Sequence, residues 1–146
     1  MNILINKREM KLRIMAMDYG EKRIGVALSD PLGIVAQPLK TINIKTQKNI
    51  IAMLKALILE NQVGLLIVGN PLDRDGRPTP MSRKINEFVN ALKKECVIEI
   101  KFWDERYTSR LAEKSMRDHG LKPKKKDIDS IAASIILSEF LATKST

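Results

Sequence analysis

Hydrophobic positions in this chain come in two rhythms. Between Leu12 and Asp30, two nearly unbroken apolar runs of strand length meet across the polar turn Tyr19-Gly20-Glu21-Lys22-Arg23. Neither run has a polar face, so both are expected to be inner strands covered on two sides. From Ile34 to Ile44 the apolar residues are interrupted by Pro38, which cannot donate to a ladder, and a third strand near an edge follows. Ile50, Ile51, Met53, Leu54, Leu57 and Ile58 line one face of a helix, with Thr46 as its N-cap. Gly64 to Gly69 is a short apolar run between glycines and reads as a buried parallel strand. The loop after it, Asn70 to Pro80, is crowded with turn residues. Helical spacing returns at Met81, Ile85, Phe88, Val89 and Leu92, with Lys93 and Lys94 in the last turn, where cations suit the helix dipole. Val97 to Trp103 is a further strand. Thr108 or Ser109 to His119 is a helix stopped by Gly120, and Asp127 to about Thr143 is a last helix carrying Ile128, Ile131, Ala132, Ile135, Ile136 and Phe140.

An antiparallel meander followed by βα crossovers predicts an α/β fold, a mixed five-stranded sheet with helices on both faces. The chain's 146 residues are enough for one domain with a proper core, expected over residues 12–143 behind an N-terminal extension at 1–11. Charge adds a partner to this picture. Lys and Arg number 26 against 17 Asp and Glu, a net +9, and such an excess favours a polyanion, whose phosphates release counterions on contact. The single Cys96 excludes an internal disulfide and a multi-cysteine metal site, and reads as a small buried core residue. No apolar run approaches the ~20 residues of a membrane span, and the apolar patch near the N-terminus is too short for a secretory segment. A cytoplasmic protein is expected.

Three carboxylates stand at comparable places. Asp18 closes the first strand, Glu105 follows a later strand, and Asp129 lies in the first turns of the last helix. A carboxylate at such a strand end is partly desolvated and needs a cation. If the three converge, their repulsion calls for a divalent metal. Oxygen donors alone select a hard ion such as Mg²⁺ or Mn²⁺, and a pair of such ions supports phosphodiester hydrolysis. Carboxylates lying far apart, or each already matched by its own basic side chain, would argue against that chemistry. Asp104 and Asp127 compete for two of these places, one residue out of register. Arg106 and Arg110 could hold backbone phosphates, as could Lys124, Lys125 and Lys126 and, in the first turn, Lys22 and Arg23. His119, alone in a last helical turn, reads as a surface residue that compensates the helix dipole.

The segments that carry these acids also carry a resemblance. Asp18-Tyr-Gly-x-Lys-Arg-Ile-Gly-x-Ala-x-Ser-Asp30, Gly69-x-Pro71-Leu72 with Asp75-Gly76, Asp104-Glu105-Arg106-x-Thr-Ser with Ala112-Glu113, and Lys126-x-x-Asp129-x-x-Ala-Ala133-x-x-Ile-Leu137 resemble, in order and spacing, the signatures of the YqgF (RuvX) family of pre-16S rRNA nucleases and Holliday-junction-resolvase-like proteins. The resemblance implies a ribonuclease H-like fold, acidic site roles for Asp18, Glu105 and Asp129, and a metal-dependent nuclease that matures the 5′ end of 16S rRNA. For a fourth carboxylate like that of the related resolvases, Asp73 and Asp75 are the possibilities.

Three rival readings stay open at this point. One is a resolvase-like endonuclease on branched DNA, for which a homodimer rather than a monomer would suit a two-fold substrate. Another is a non-catalytic RNA-binding or transcription-associated module of the same fold. The third is a nucleotide phosphohydrolase, disfavoured by the chain's size and the lack of a Walker-type glycine loop.

Overall fold

The computed structural model describes residues 12–104, 114, 117, 118, 120 and 125–144, with the side chains of 125–127 excepted. Its sheet grows outward from β1 (Arg13–Tyr19). This strand pairs antiparallel with β2 (Arg23–Ser29) on one side and parallel with β4 (Val63–Asn70) on the other. β3 (Ala36–Asn43) adds antiparallel to β2, and β5 (Glu99–Asp104) adds parallel to β4, giving the order β3-β2-β1-β4-β5. β3 is the edge strand that Pro38 predicted, with a register shift immediately after that proline, between Pro38 and Lys40.

Alternation along the strands divides the core in two. Met15, Met17, Ile24, Val26, Leu66 and Val68 face α1 (Ile50–Glu60) and α2 (Pro80–Glu95), which bury Leu54, Ile58, Ile85, Val89 and Leu92 against them. Ile14, Ala16, Ala27, Leu65 and Ile67 face the other way. There α3 (Lys125–Lys144) covers them with Ala133, Ile136, Leu137, Phe140 and Leu141. Helices therefore lie on both faces, as the apolar pattern requires.

Local chemistry moved some boundaries. α1 is capped by Asn49, whose side chain accepts from the Ala52 N–H, and not by Thr46. Thr46 falls in the turn leaving β3, where the Gln47 N–H donates to the Asn43 carbonyl. The β5 ladder begins at Leu65↔Glu99, so the expected start at Val97 is wrong, and Val97 is fully exposed. Cys96 is the half-buried C-cap of α2, packed at the margin of the core. α2 itself starts with a full capping box between Thr79 and Ser82. The helix expected over 108–119 lies mainly outside the described residues. Gly120, its expected stop, has φ of +71° and donates its N–H to the Arg117 carbonyl. No described helix is long and apolar enough to cross a membrane.

Two features of β2 fix what surrounds the end of β1. At Gly25 the backbone of α3 comes so close that an added Cβ would stand 1.9 Å from the Asp129 carbonyl oxygen. Beyond β2, Asp30 organises the turn to β3. Its carboxylate accepts from the N–H groups of Leu32, Ile34 and Val35. The Val35 N–H, and with it those of Ile34 and Leu32, holds this carboxyl below the usual carboxylate range against a smaller opposing effect of desolvation.

Gly25→Ala is expected to destabilise the fold by about 1–3 kcal/mol or more in urea unfolding, because α3 must lift to admit the methyl group. Asp30 has a lowered folded-state pKa, so its stabilising contribution is complete above the unfolded value of about 4 and is lost as pH falls through the folded value. Asp30→Ala should therefore lower Tm at pH 7, and the gap to the unmodified protein should narrow in thermal melts at pH 3.

Candidate active site

The three parallel strands β1, β4 and β5 end at one edge of the sheet, where ligands bind in open α/β folds. The pairings Met17↔Val68 and Gly69↔Trp103 set Asp18 level with Gly69 and Trp103 there. Asp18 shares the parity of Ile14 and Ala16, so it lies on the face that α3 covers. Its partner across β2 is Gly25. Directly opposed residues project to the same face with Cβ positions about 4.5–5.5 Å apart. The position at Gly25 that a Cβ would fill is taken by the main chain of Asp129. The β1–β2 register and the glycine together thus bring Asp129 beside Asp18, although 111 positions separate the two residue numbers (129 − 18).

Arg23, two residues before Gly25 on the same face of β2, completes the cluster. Its Nε donates to Asp129 Oδ2 at 2.7 Å, and both side chains are about one-quarter exposed. Asp129 is therefore already matched by a basic side chain, a role that sequence reasoning gave to no residue. Lys22, the neighbouring candidate for phosphate contact, is exposed in the turn. The turn's tightness comes from Gly20, whose N–H donates to the Arg23 carbonyl and whose missing Cβ would stand 2.9 Å from that oxygen.

β5 reaches the same edge under restraint. Trp103 donates its indole N–H to Glu139 Oε2 at 2.8 Å and packs edge-on against Phe140, 5.9 Å between ring centroids. These contacts tie the end of β5 to α3. Alternation places Asp104 with Ile100, which packs against the α1–α2 side, and so away from Asp18. The competition between Asp104 and Glu105 is thereby narrowed. Glu105 itself, with Arg106, Arg110 and Lys124, lies outside the described residues, and Lys125 and Lys126 are described only as helical backbone. Among the described residues no three His, Cys, Asp or Glu side chains gather into a metal-binding group.

The loop after β4 keeps its acids for itself. Asp73 Oδ1 accepts from the N–H groups of Asp75 and Arg77, while the backbone closes from Asp73 N–H to the Arg77 carbonyl. Thr79, the cap of α2, also donates its hydroxyl to the Pro71 carbonyl. Asp73 is thus a turn-forming residue, with one carboxylate oxygen committed to its own loop. Ser29 and Asp30, at the close of the first motif, are structural as well. The buried Ser29 hydroxyl accepts the Ile14 N–H and ties the ends of β1 and β2 together.

A five-stranded mixed sheet in this order, with Asp18 near the C-terminal end of β1, is the ribonuclease H-like class. Structures of the Thermus thermophilus resolvase RuvC share the fold. One of them, determined with a Holliday junction substrate, has a TM-score of 0.57 at 13% identity and covers 92% of this chain and 96% of its own. The fowlpox virus resolvase in complex with Holliday junction DNA gives 0.55 at 16%, covering 92% and 100%. A sequence model of the RuvX family, described as Holliday junction resolvase, matches residues 12–143, and the chain belongs to that family. Relatives from Roseiflexus sp. and Clostridioides difficile, which bear the provisional name pre-16S rRNA nuclease, are 44% and 42% identical. They cover 88% and 90% of this chain and 93% and 95% of their own. Family and relatives both support nuclease activity.

Asp73→Ala should speed amide hydrogen exchange at Asp75 and Arg77 by roughly fivefold or more, since each loses a hydrogen bond worth about 1 kcal/mol or more. Exchange in the core strands should stay as it is.

Proposed function

We propose that the protein is a divalent-metal-dependent nuclease that hydrolyses phosphodiester bonds in structured nucleic acid, with the 5′ end of precursor 16S rRNA as its substrate. Asp18, Glu105 and Asp129 form its acidic site. The observation that carries this reading is the seating of the Asp129 main chain on Gly25, opposite Asp18. On this reading the two carboxylates share the sheet edge, where a single one would already be costly. The donors are carboxylate oxygens, and Cys96 stands far along β5's other end, so the set suits a hard ion such as Mg²⁺ or Mn²⁺ and not zinc.

When bound, the metal would polarise the phosphoryl oxygen and make water a better nucleophile. Asp18 and Asp129 would hold it from two sides, one on a rigid strand and one on a helix locked to that strand's neighbour. Lys22, Arg106, Arg110, Lys124, Lys125 and Lys126 would grip the backbone and set its register without reading its sequence. The net charge of +9 is what such a substrate requires. A second reading, cleavage of four-way DNA junctions, is favoured by the description the family carries.

Asp18→Asn should reduce cleavage of a precursor 16S rRNA fragment at least about 10³-fold, while nucleic-acid affinity at fixed salt changes by less than about threefold. Both substrates should be offered to both proteins in Mg²⁺ and in Mn²⁺. Cleavage of the junction alone would move the assignment to DNA, and undiminished cleavage by the folded variant would refute the acidic site.

A further inference from the structure

Arg23 stands where a phosphate-gripping residue is expected, yet it holds a site carboxylate. The contact is a single hydrogen bond from Nε to Asp129 Oδ2, 2.7 Å long, between side chains about one-quarter exposed. Water and ions can therefore reach it. Arg23 is also a diagonal cross-strand neighbour of Asp18, since Asp18 pairs with Gly25 two residues further along β2. Such diagonals span about 7–8 Å, within reach of a long side chain. The guanidinium thus lies in the field of both acids.

We infer that Arg23 is the resident counter-cation of the site, neutralising Asp129 while no divalent ion is present and giving up that carboxylate when one binds. This rests on the proposed metal site. Two carboxylates at adjacent positions repel, and an arginine cannot shed its charge to relieve them. Its presence lets α3 dock with Asp129 ionised before any metal arrives. The same positive charge then opposes a second cation at that place, so the protein exchanges some metal affinity for a site assembled in advance. Arg23 is a positioning residue in this account, acting through Asp129. A purely structural latch between β2 and α3 would use the same hydrogen bond but would have no reason to let go.

The two roles separate by metal binding without substrate. Isothermal titration with Mn²⁺ should give a Kd roughly tenfold lower for Arg23→Gln than for the unmodified protein, because a positive charge next to the ion is gone. Arg23→Lys, which keeps the charge, should return the Kd to within about threefold. The metal-free Arg23→Gln protein should melt lower, and Mn²⁺ should raise its Tm by more than it raises that of the unmodified protein. If Arg23→Gln does not fold, the unmodified protein still decides the matter, through the Arg23 Nε–H resonance followed during a Mg²⁺ titration. That resonance should shift and saturate together with the ion. A resonance unmoved at saturation, or a folded Arg23→Gln protein that binds Mn²⁺ no more tightly, would overturn the counter-cation role while leaving the metal site standing. An unmodified protein that takes up neither ion would overturn both.

Discussion

The structure depends on a place where a side chain is missing. At Gly25 the first turns of α3 lie directly on β2, main chain against main chain, and no other residue type leaves room for that. The close approach needs its own support, since backbone groups pressed against a sheet lose water as a hydrogen-bonding partner. Support comes from the apolar residues further along α3, where Ala133, Ile136 and Leu137 are fully buried against Ala16, Ala27 and Ile67. The lower half of the helix therefore supplies the adhesion, and the glycine supplies the distance. The main chain of Asp129 comes level with Asp18 only because both hold.

Much of this was legible in the residues and some was not. Unbroken apolar runs at 14–17, 24–28 and 64–68 announce strands covered on both sides, and they form β1, β2 and β4. Pro38 announced an edge. Ala132 and Ala133 are small enough to let a helix lie close to the sheet, but the closest contact is one turn earlier, against a glycine of the strand. A signal for it existed, because an isolated glycine inside an apolar strand often marks a backbone approaching from above. What could not be read was the partner. Caps were misplaced for a different reason. Thr46 and Asn49 are both good N-caps, and the choice between them depends on where the turn from β3 ends, which is a property of the β2–β3 register and not of local composition.

The chemistry divides the same way. Which acids occupy the ends of elements is visible from spacing, and strand parity then turns Asp104 toward the α1–α2 side once the sheet is known. Pairing between charges is not visible. Arg23 was expected to meet nucleic acid, and nothing in the sequence says that a residue 106 positions away would take its Nε first. Asp73 shows the converse, an acid in a plausible place whose oxygen is committed to two backbone donors of its own loop. Several residues of the opening motif, Gly25, Ser29 and Asp30 among them, shape the setting and do no chemistry themselves.

The separation of the core into two clusters has a further consequence. α3 alone covers one face of the sheet, and α1 and α2 cover the other. A fluctuation that detaches α3 would strip Asp129 and the tether on Trp103 from the strand ends while the opposite layer kept its packing. Inactivation by mild heat or denaturant would then precede global melting, and an incompletely docked helix during biosynthesis would be a harmless protein and not an unregulated hydrolase.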